Sequence, residues 1–159
     1  MSLKIYLDTS VISAYFDFQK PVRQLITQKW VQQNAKEFDL FASTLVLEEI
    51  DQNTDHELRE KMLQLLNMLS ISILEVNEVI FTLASVYREY ILPQEINDTV
   101  HIAIASYYAI DAIVSWNFRH IVNLKTMKAI QEINIKQDYS TGCYGTDNRC
   151  QHPTICSVC

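Results

Sequence analysis

The chain has 159 residues, the length of one ordinary domain, of which 48% are hydrophobic and 20% charged. That balance belongs to a soluble globular protein, and no apolar run approaches the roughly 20 residues a membrane-spanning helix needs. The formal net charge of −6 argues against a broad basic face for nucleic acid. It does not exclude a polyanionic substrate, because carboxylates that hold cations lower the net charge while the cations restore positive potential. A basic partner protein also suits this charge. With 2 glycines and 3 prolines, long linkers are not expected before the tail. Residues 1–4 run straight into a predicted strand and leave no room for a signal peptide, so the expected location is the cytoplasm.

Taken in chain order, Ile5-Tyr6-Leu7 reads as a short buried strand that stops at Asp8. Residues 11–18 are apolar and helical or looped, and Pro21 suits the first turn of a helix to about residue 36. Leu25, Trp30 and Val31 give that helix an incomplete apolar stripe. Residues 39–42 predict a second strand, after which Ser43 is expected to cap a helix to Asp51 through its hydroxyl. The clearest helix spans 57–69, where Leu58, Met62, Leu65, Leu66 and Leu69 recur on one face. Residues 71–76 alternate as a strand, Asn77 caps a helix over 78–90, and Pro93 marks a turn. A helix over 98–109, small and apolar on one side through Ala103, Ile104 and Ala105, leads through Asp111 into a strand over 112–115. The last helix covers 126–133. Strands alternating with helices predict an α/β fold with a mainly parallel sheet, whose ligands bind beyond the carboxyl ends of the strands.

From about Asp138 the texture changes: residues 139–159 hold both glycines and all four cysteines, without apolar periodicity. The expected division is a domain over 1–137 and a cysteine-containing tail over 138–159 that is not an independent domain. Cys143, Cys150, Cys156 and Cys159, with His152 among them, invite a zinc reading. Their irregular spacing fits no common zinc motif, so zinc is not expected there. Disulfides are not expected in a reducing cytoplasm.

Two predicted strands stop at Asp8 and just before Asn117, and two predicted helices carry Glu48-Glu49 and Asp98. Three acidic groups and an amide gathered at one sheet edge would make an oxygen-rich site for a hard divalent cation. Each residue also has a plainer role. Asp8 suits a cap over the amides near Ser10 and Val11, Asp98 suits a helix start, and Asn117 suits a turn. Glu48 and Glu49 lie on faces about 100° apart, so only one of them points into a site. Glu57, Glu60, Glu75, Glu78 and Glu89 read as surface residues. His101 either packs in the core or approaches a phosphate or carboxylate. Arg119 and His120 are better placed to meet a phosphate. No glycine-rich phosphate loop and no G-x-S-x-G elbow is present.

Leu7-Asp8-Thr9-Ser10, Leu45-Val46-Leu47-Glu48-Glu49-Ile50, the run from Asn97-Asp98-Thr99 to Ala105, and Ile113-Val114-Ser115-Trp116-Asn117-Phe118-Arg119-His120 resemble the four motifs of the PIN-domain family. The likeness covers about residues 4–134 and lies nearest the VapC-type toxins of toxin–antitoxin pairs. It implies a three-layer α/β/α fold and an endoribonuclease that uses Mg²⁺ or Mn²⁺. By position it makes Asp8, Glu49 and Asp98 the metal-binding acids. Asn117 falls on the fourth acidic position, where it keeps an oxygen acceptor but loses the charge. Thr9, Ser10, Ser115 and Arg119 become the residues that support or bind substrate. The implied partners are an RNA substrate, a cognate antitoxin and a second copy in a homodimer, with no membrane. The alternative is a weakened or inactive relative that only binds a partner. An aspartyl-nucleophile phosphatase is disfavoured, since its D-x-D-x-T pattern needs an Asp where Ser10 stands.

Overall fold

The computed structural model describes residues 2–90, 96–117, 119, 121, 124–139 and 155–156. Its element order is β1 (Lys4–Leu7), α1 (Thr9–Ala14), α2 (Pro21–Gln33), β2 (Asp39–Ser43), α3 (Thr44–Asp51), α4 (His56–Met68), β3 (Ser72–Leu74), α5 (Glu78–Tyr90), α6 (Ile96–Tyr107), β4 (Ala112–Val114), α7 (Leu124–Lys136) and β5 (Ile155–Cys156). The expected α/β fold is the one observed: helices flank a parallel sheet ordered β3-β2-β1-β4, and the two-residue β5 extends it beside β4.

Strand β1 is central and pairs with β2 through Tyr6↔Phe41 and with β4 through Tyr6↔Ile113. Ile5, Tyr6 and Leu7 are all buried. Consecutive burial along a strand requires covered faces on both sides, which is why these residues form a continuous apolar run. The chain builds β2 and β3 on one side of β1, then returns to place β4 on the other. That reversal opens a crevice at the carboxyl ends of β1 and β4, where open α/β sheets bind their ligands.

Side-chain caps set several helix starts. Asp8 Oδ1 accepts from Val11 N at 3.3 Å, Asp55 from Leu58 N at 3.0 Å, and Asn77 from Ile80 N at 3.0 Å. Ser43 departs from the expected cap: it makes no side-chain bond to the first turn of α3. Its hydroxyl instead lies 2.8 Å from Tyr6 OH, inside the sheet layer. The expected stripe on α2 also changes. Val31 is buried and Trp30 stacks on Phe38, but Leu25 is 51% exposed. Thr27 takes the inward position, because its hydroxyl donates to Arg23 O at 2.9 Å and accepts from Trp116 Nε1 at 2.9 Å. Helix α2 closes at Gln33, and a 3₁₀ turn at Ala35–Glu37 follows it. Helix α6 begins at Ile96, which puts Asp98 inside the first turn. The turn expected at Pro93 lies outside the described residues.

Helices α5, α6 and α7 share a buried polar knot. Tyr87 OH donates to Asn134 Oδ1 and accepts from Ser106 Oγ at 3.0 Å, and Asn134 Nδ2 donates to Ser106 Oγ at 3.0 Å. Burial pushes the Tyr87 phenol up to about 12, against the hydrogen bonds from Ser106 and Asn134. A network in which each member is satisfied ties three helices in one register.

Several chain reversals after helices use a left-handed residue that is not glycine: Ser70 (φ 51°), Ala109 (φ 50°) and Asp138 (φ 61°). At Ala109 the next amide, Ile110 N, reaches back to Ala105 O at 2.9 Å, the bond that closes a Schellman end. A Cβ in this conformation costs about 1 kcal/mol relative to glycine. Ala109→Gly is therefore expected to raise the melting temperature by roughly 2–4 °C, measured by thermal unfolding. An unchanged or lower value would place the strain elsewhere.

Among the described residues no helix is long and apolar enough to cross a membrane. Within the tail, Cys156 lies on β5 in register with Val114. Cys143, Cys150, His152 and Cys159, the remainder of the zinc reading, lie outside the described residues, as does His120.

Candidate active site

The crevice at the ends of β1 and β4 is a cleft of about 360 Å³, walled by Asp8, Glu49, Asp98 and Asn117. Among the described residues Thr9, Ser10, Ser13, Gln52, Asn97 and His101 complete its lining, with no lysine or arginine. The four expected acidic or amide positions thus share one cleft, although they come from opposite halves of the chain.

Asp8 is fixed by both strands. Its amide donates to Val114 O at 3.3 Å, which ends the sheet ladder, and its carboxylate at once caps α1. Ser10 Oγ donates to Oδ1 at 2.5 Å and Ser115 Oγ donates to Oδ2 at 2.5 Å. Those two serines are themselves held: Trp116 N donates to Ser10 Oγ and Asn117 N donates to Ser115 Oγ, each at 2.8 Å. The cap and the site are therefore the same carboxylate. Asp8 is only 3% exposed. Burial pushes its carboxyl above the ordinary aspartate range, against the nearby His101 ring and the bonds from Ser10, Ser115 and Val11.

Glu49 lies on α3 with three donors around it. Thr9 Oγ1 donates to Oε2, His101 Nε2 stands 3.2 Å from Oε2, and Asn97 Nδ2 donates to Oε1 at 2.7 Å. Burial opposes its ionisation, but His101, with the bonds from Thr9 and Asn97, outweighs burial and holds its carboxyl below the usual glutamate range. Glu48 is exposed on the next face of the helix, and Glu57, Glu60, Glu75, Glu78 and Glu89 are exposed as well. Asp98, in the first turn of α6, receives the Asn117 Nδ2 amide on Oδ2 at 2.9 Å.

Of the expected substrate residues, Thr9 and Ser10 line the cleft. Ser115 is fully buried and spends its hydroxyl on Asp8. Arg119 is exposed and is not part of the cleft lining. Several contributors were not singled out from sequence. Asn97 binds Glu49, and Tyr6 OH lies 2.7 Å from His101 Nδ1. Trp116 anchors the Ser115-Trp116-Asn117 loop on α2 through Thr27, with the Arg23 guanidinium 5.8 Å from its ring centre. The signal available for Tyr6 was a hydroxyl at the middle of an otherwise apolar strand. For Asn97 it was adjacency to an acid at a helix start.

The donor set suits a hard divalent ion: carboxylate, amide and hydroxyl oxygens, with a buried carboxylate whose cleft supplies no lysine or arginine among the described residues. Among the described residues, however, no three acidic, histidine or cysteine side chains stand close enough to grip one ion as placed. Glu49 is turned to His101 and Asn97, and Asp98 to Asn117. Chelation by all three acids would bring their carboxylates closer together than they rest here.

No curated protein matches the chain. Among solved structures, VapC20 of Mycobacterium tuberculosis, described as a Sarcin-Ricin loop cleaving toxin, superposes with a TM-score of 0.55. The two are 15% identical, and the alignment covers 69% of this chain and 86% of that one. At this identity the likeness concerns the fold. The sequence itself matches the PIN domain family over residues 5–121, a span that starts in β1 and runs past Asn117, so the four wall residues of the cleft all fall inside it. By that match this chain belongs to the PIN-domain family.

Proposed function

We propose that the protein is a Mg²⁺- or Mn²⁺-dependent endoribonuclease that hydrolyses RNA phosphodiester bonds, and that it serves as the toxin of a type II toxin–antitoxin pair. The observation that carries this reading is the shared cleft: Asp8, Glu49 and Asp98 from three separate elements, with Asn117 beside them. The same cleft gives family membership its catalytic content, and VapC20, similar in fold, is described as a Sarcin-Ricin loop cleaving toxin.

In this reading Asp8, Glu49 and Asp98 hold the ion, which supplies charge stabilisation at the phosphate and a more acidic water. Asp8 gives a fixed anchor, since Ser10, Ser115 and Val11 set its orientation before substrate arrives. Glu49, kept ionised by its three donors, accepts a hydrogen bond from the attacking water and orients it. Thr9 and Ser10 support the site through hydroxyls that donate to Glu49 and Asp8, and Arg119 meets a more distant phosphate. Hydrolysis breaks one P–O bond, adds water across it and leaves a phosphate on one RNA end and a hydroxyl on the other.

A cytoplasmic setting, a cognate antitoxin covering the acidic cleft and a homodimer complete the proposal. The tail is read as an appendage to the catalytic domain without zinc. A second reading, partner binding without catalysis, draws on Asn117, which replaces an acid and spends its Nδ2 on Asp98. Incubating the purified protein with mixed cellular RNA in Mg²⁺, Mn²⁺ or chelator, and sequencing the ends, separates the two. Cleavage in metal and none in chelator is expected, with growth arrest on expression. Intact RNA under all three conditions would leave the binding reading.

A further inference from the structure

Tyr6 occupies the centre of the central strand and is fully buried, packed on both sides by apolar residues. Packing alone would be met by phenylalanine, and a hydroxyl buried without partners costs a few kcal/mol. Tyr6 OH has two partners: Ser43 Oγ of β2 at 2.8 Å and His101 Nδ1 of α6 at 2.7 Å. The opposite ring nitrogen, His101 Nε2, faces Glu49 Oε2 of α3 at 3.2 Å. Ser43, Tyr6, His101 and Glu49 therefore form one continuous file of polar groups from the interior of the sheet to the cleft.

We propose that Tyr6 and His101 are positioning residues for Glu49, with Tyr6, anchored on Ser43, selecting the ring tautomer that presents Nε2–H to the Glu49 carboxylate. The donors fix the direction. A carboxylate only accepts, so Nε2 carries the hydrogen. In the neutral ring Nδ1 then accepts, Tyr6 OH donates to it, and Ser43 OH donates to Tyr6. Tyr6 OH gives one hydrogen and receives one, so the file has a single sense. Histidines that orient functional carboxylates or metals depend on such a partner on the second nitrogen to lock tautomer and ring plane. Here that partner belongs to the central strand of the sheet, where Ile5, Tyr6 and Leu7 are all buried. Glu49 consequently takes its orientation from β1 and β2, although it is itself carried on a helix.

This inference rests on the nuclease reading for its catalytic consequence, but the hydrogen-bond file can be tested by itself. Ring ¹⁵N spectra of His101 are expected to show a protonated Nε2 and an accepting Nδ1 in the wild type, and a mixed tautomer in Tyr6→Phe. In RNA cleavage, Tyr6→Phe and Ser43→Ala are expected to lower kcat or raise the Mn²⁺ concentration for half activity about 10-fold, at little change in RNA KM. His101→Gln, whose amide can still donate toward Glu49, is expected to retain more activity than His101→Leu. Circular dichroism checks that each variant is folded. A wild-type ring protonated on Nδ1 alone, or a Tyr6→Phe spectrum identical to wild type, overturns the positioning role. Equal activity of folded Tyr6→Phe, Ser43→Ala and wild type overturns its catalytic consequence. Absence of cleavage in the wild type would sink the nuclease reading instead, and the ring spectra would still decide the file.

Discussion

Asp8→Asn is expected to reduce metal-dependent RNA cleavage roughly a thousandfold. Several kcal/mol of charge stabilisation at the phosphate depend on the ion, at about 1.4 kcal/mol per factor of ten. The substitution keeps the shape of the side chain and one oxygen to accept from Val11 N, so the start of α1 is expected to survive. Stability should move the other way from activity. Because burial raises the folded-state pKa of Asp8, the folded protein holds its proton more tightly than the unfolded chain. Stability from this group is fully present below the unfolded pKa and is lost as pH rises through the folded one. In chelator at neutral pH, Asp8→Asn is thus expected to melt at or above the wild-type temperature, and to lose that part of the pH dependence. Millimolar Mn²⁺ should stabilise the wild type, by about 2.7 kcal/mol at a hundredfold excess over Kd, and leave Asp8→Asn unmoved. Thermal unfolding in chelator and in Mn²⁺, beside the cleavage assay, checks both halves. A variant with full activity would remove Asp8 from the catalytic set.

The second large effect concerns Asn117. Its Nδ2 now donates to Asp98 Oδ2 at 2.9 Å. Asn117→Asp turns that donor into an acceptor and sets two carboxylates face to face, so in chelator at low salt the expected loss is about 1–3 kcal/mol. For a chain of this size that corresponds to a fall of roughly 2–12 °C in melting temperature. Metal should reverse the sign. An added carboxylate strengthens an oxygen site, so Mn²⁺ is expected to stabilise the variant more than the wild type and to lower the metal concentration for half activity. If Asn117→Asp melts like the wild type in chelator and gains nothing from Mn²⁺, Asn117 does not face the metal-binding acids.

How much of this was legible in the residues depended on whether a single element carried the signal. Ile5-Tyr6-Leu7 and residues 112–115 announced strands by continuous apolarity, and the helix later found at His56–Met68 announced itself by spacing. Parallel order followed from strand–helix alternation, and with it the placement of Asp8 and Asn117 at one edge. Ser43 misled because a serine before a helix usually caps, and nothing local reveals that a tyrosine hydroxyl on the neighbouring strand will claim it. Leu25 misled for a similar reason: Thr27 gained the buried position from an indole eighty-nine residues away. The acids could be named as a set, but not their hydrogen-bonded rest positions. Those depend on Asn97, Thr9 and His101 meeting Glu49 across the cleft.

The central strand comes first among the described strands, yet its second neighbour, β4, comes from residues Ala112–Val114. Ser115, which holds Asp8, and Asn117, which meets Asp98, arrive later still. A nascent chain therefore possesses no assembled cleft until Asn117 has left the ribosome. Under the proposed function, this chain order withholds cutting power from translation products that stop short of Asn117, so the machinery making the protein is not exposed to it prematurely.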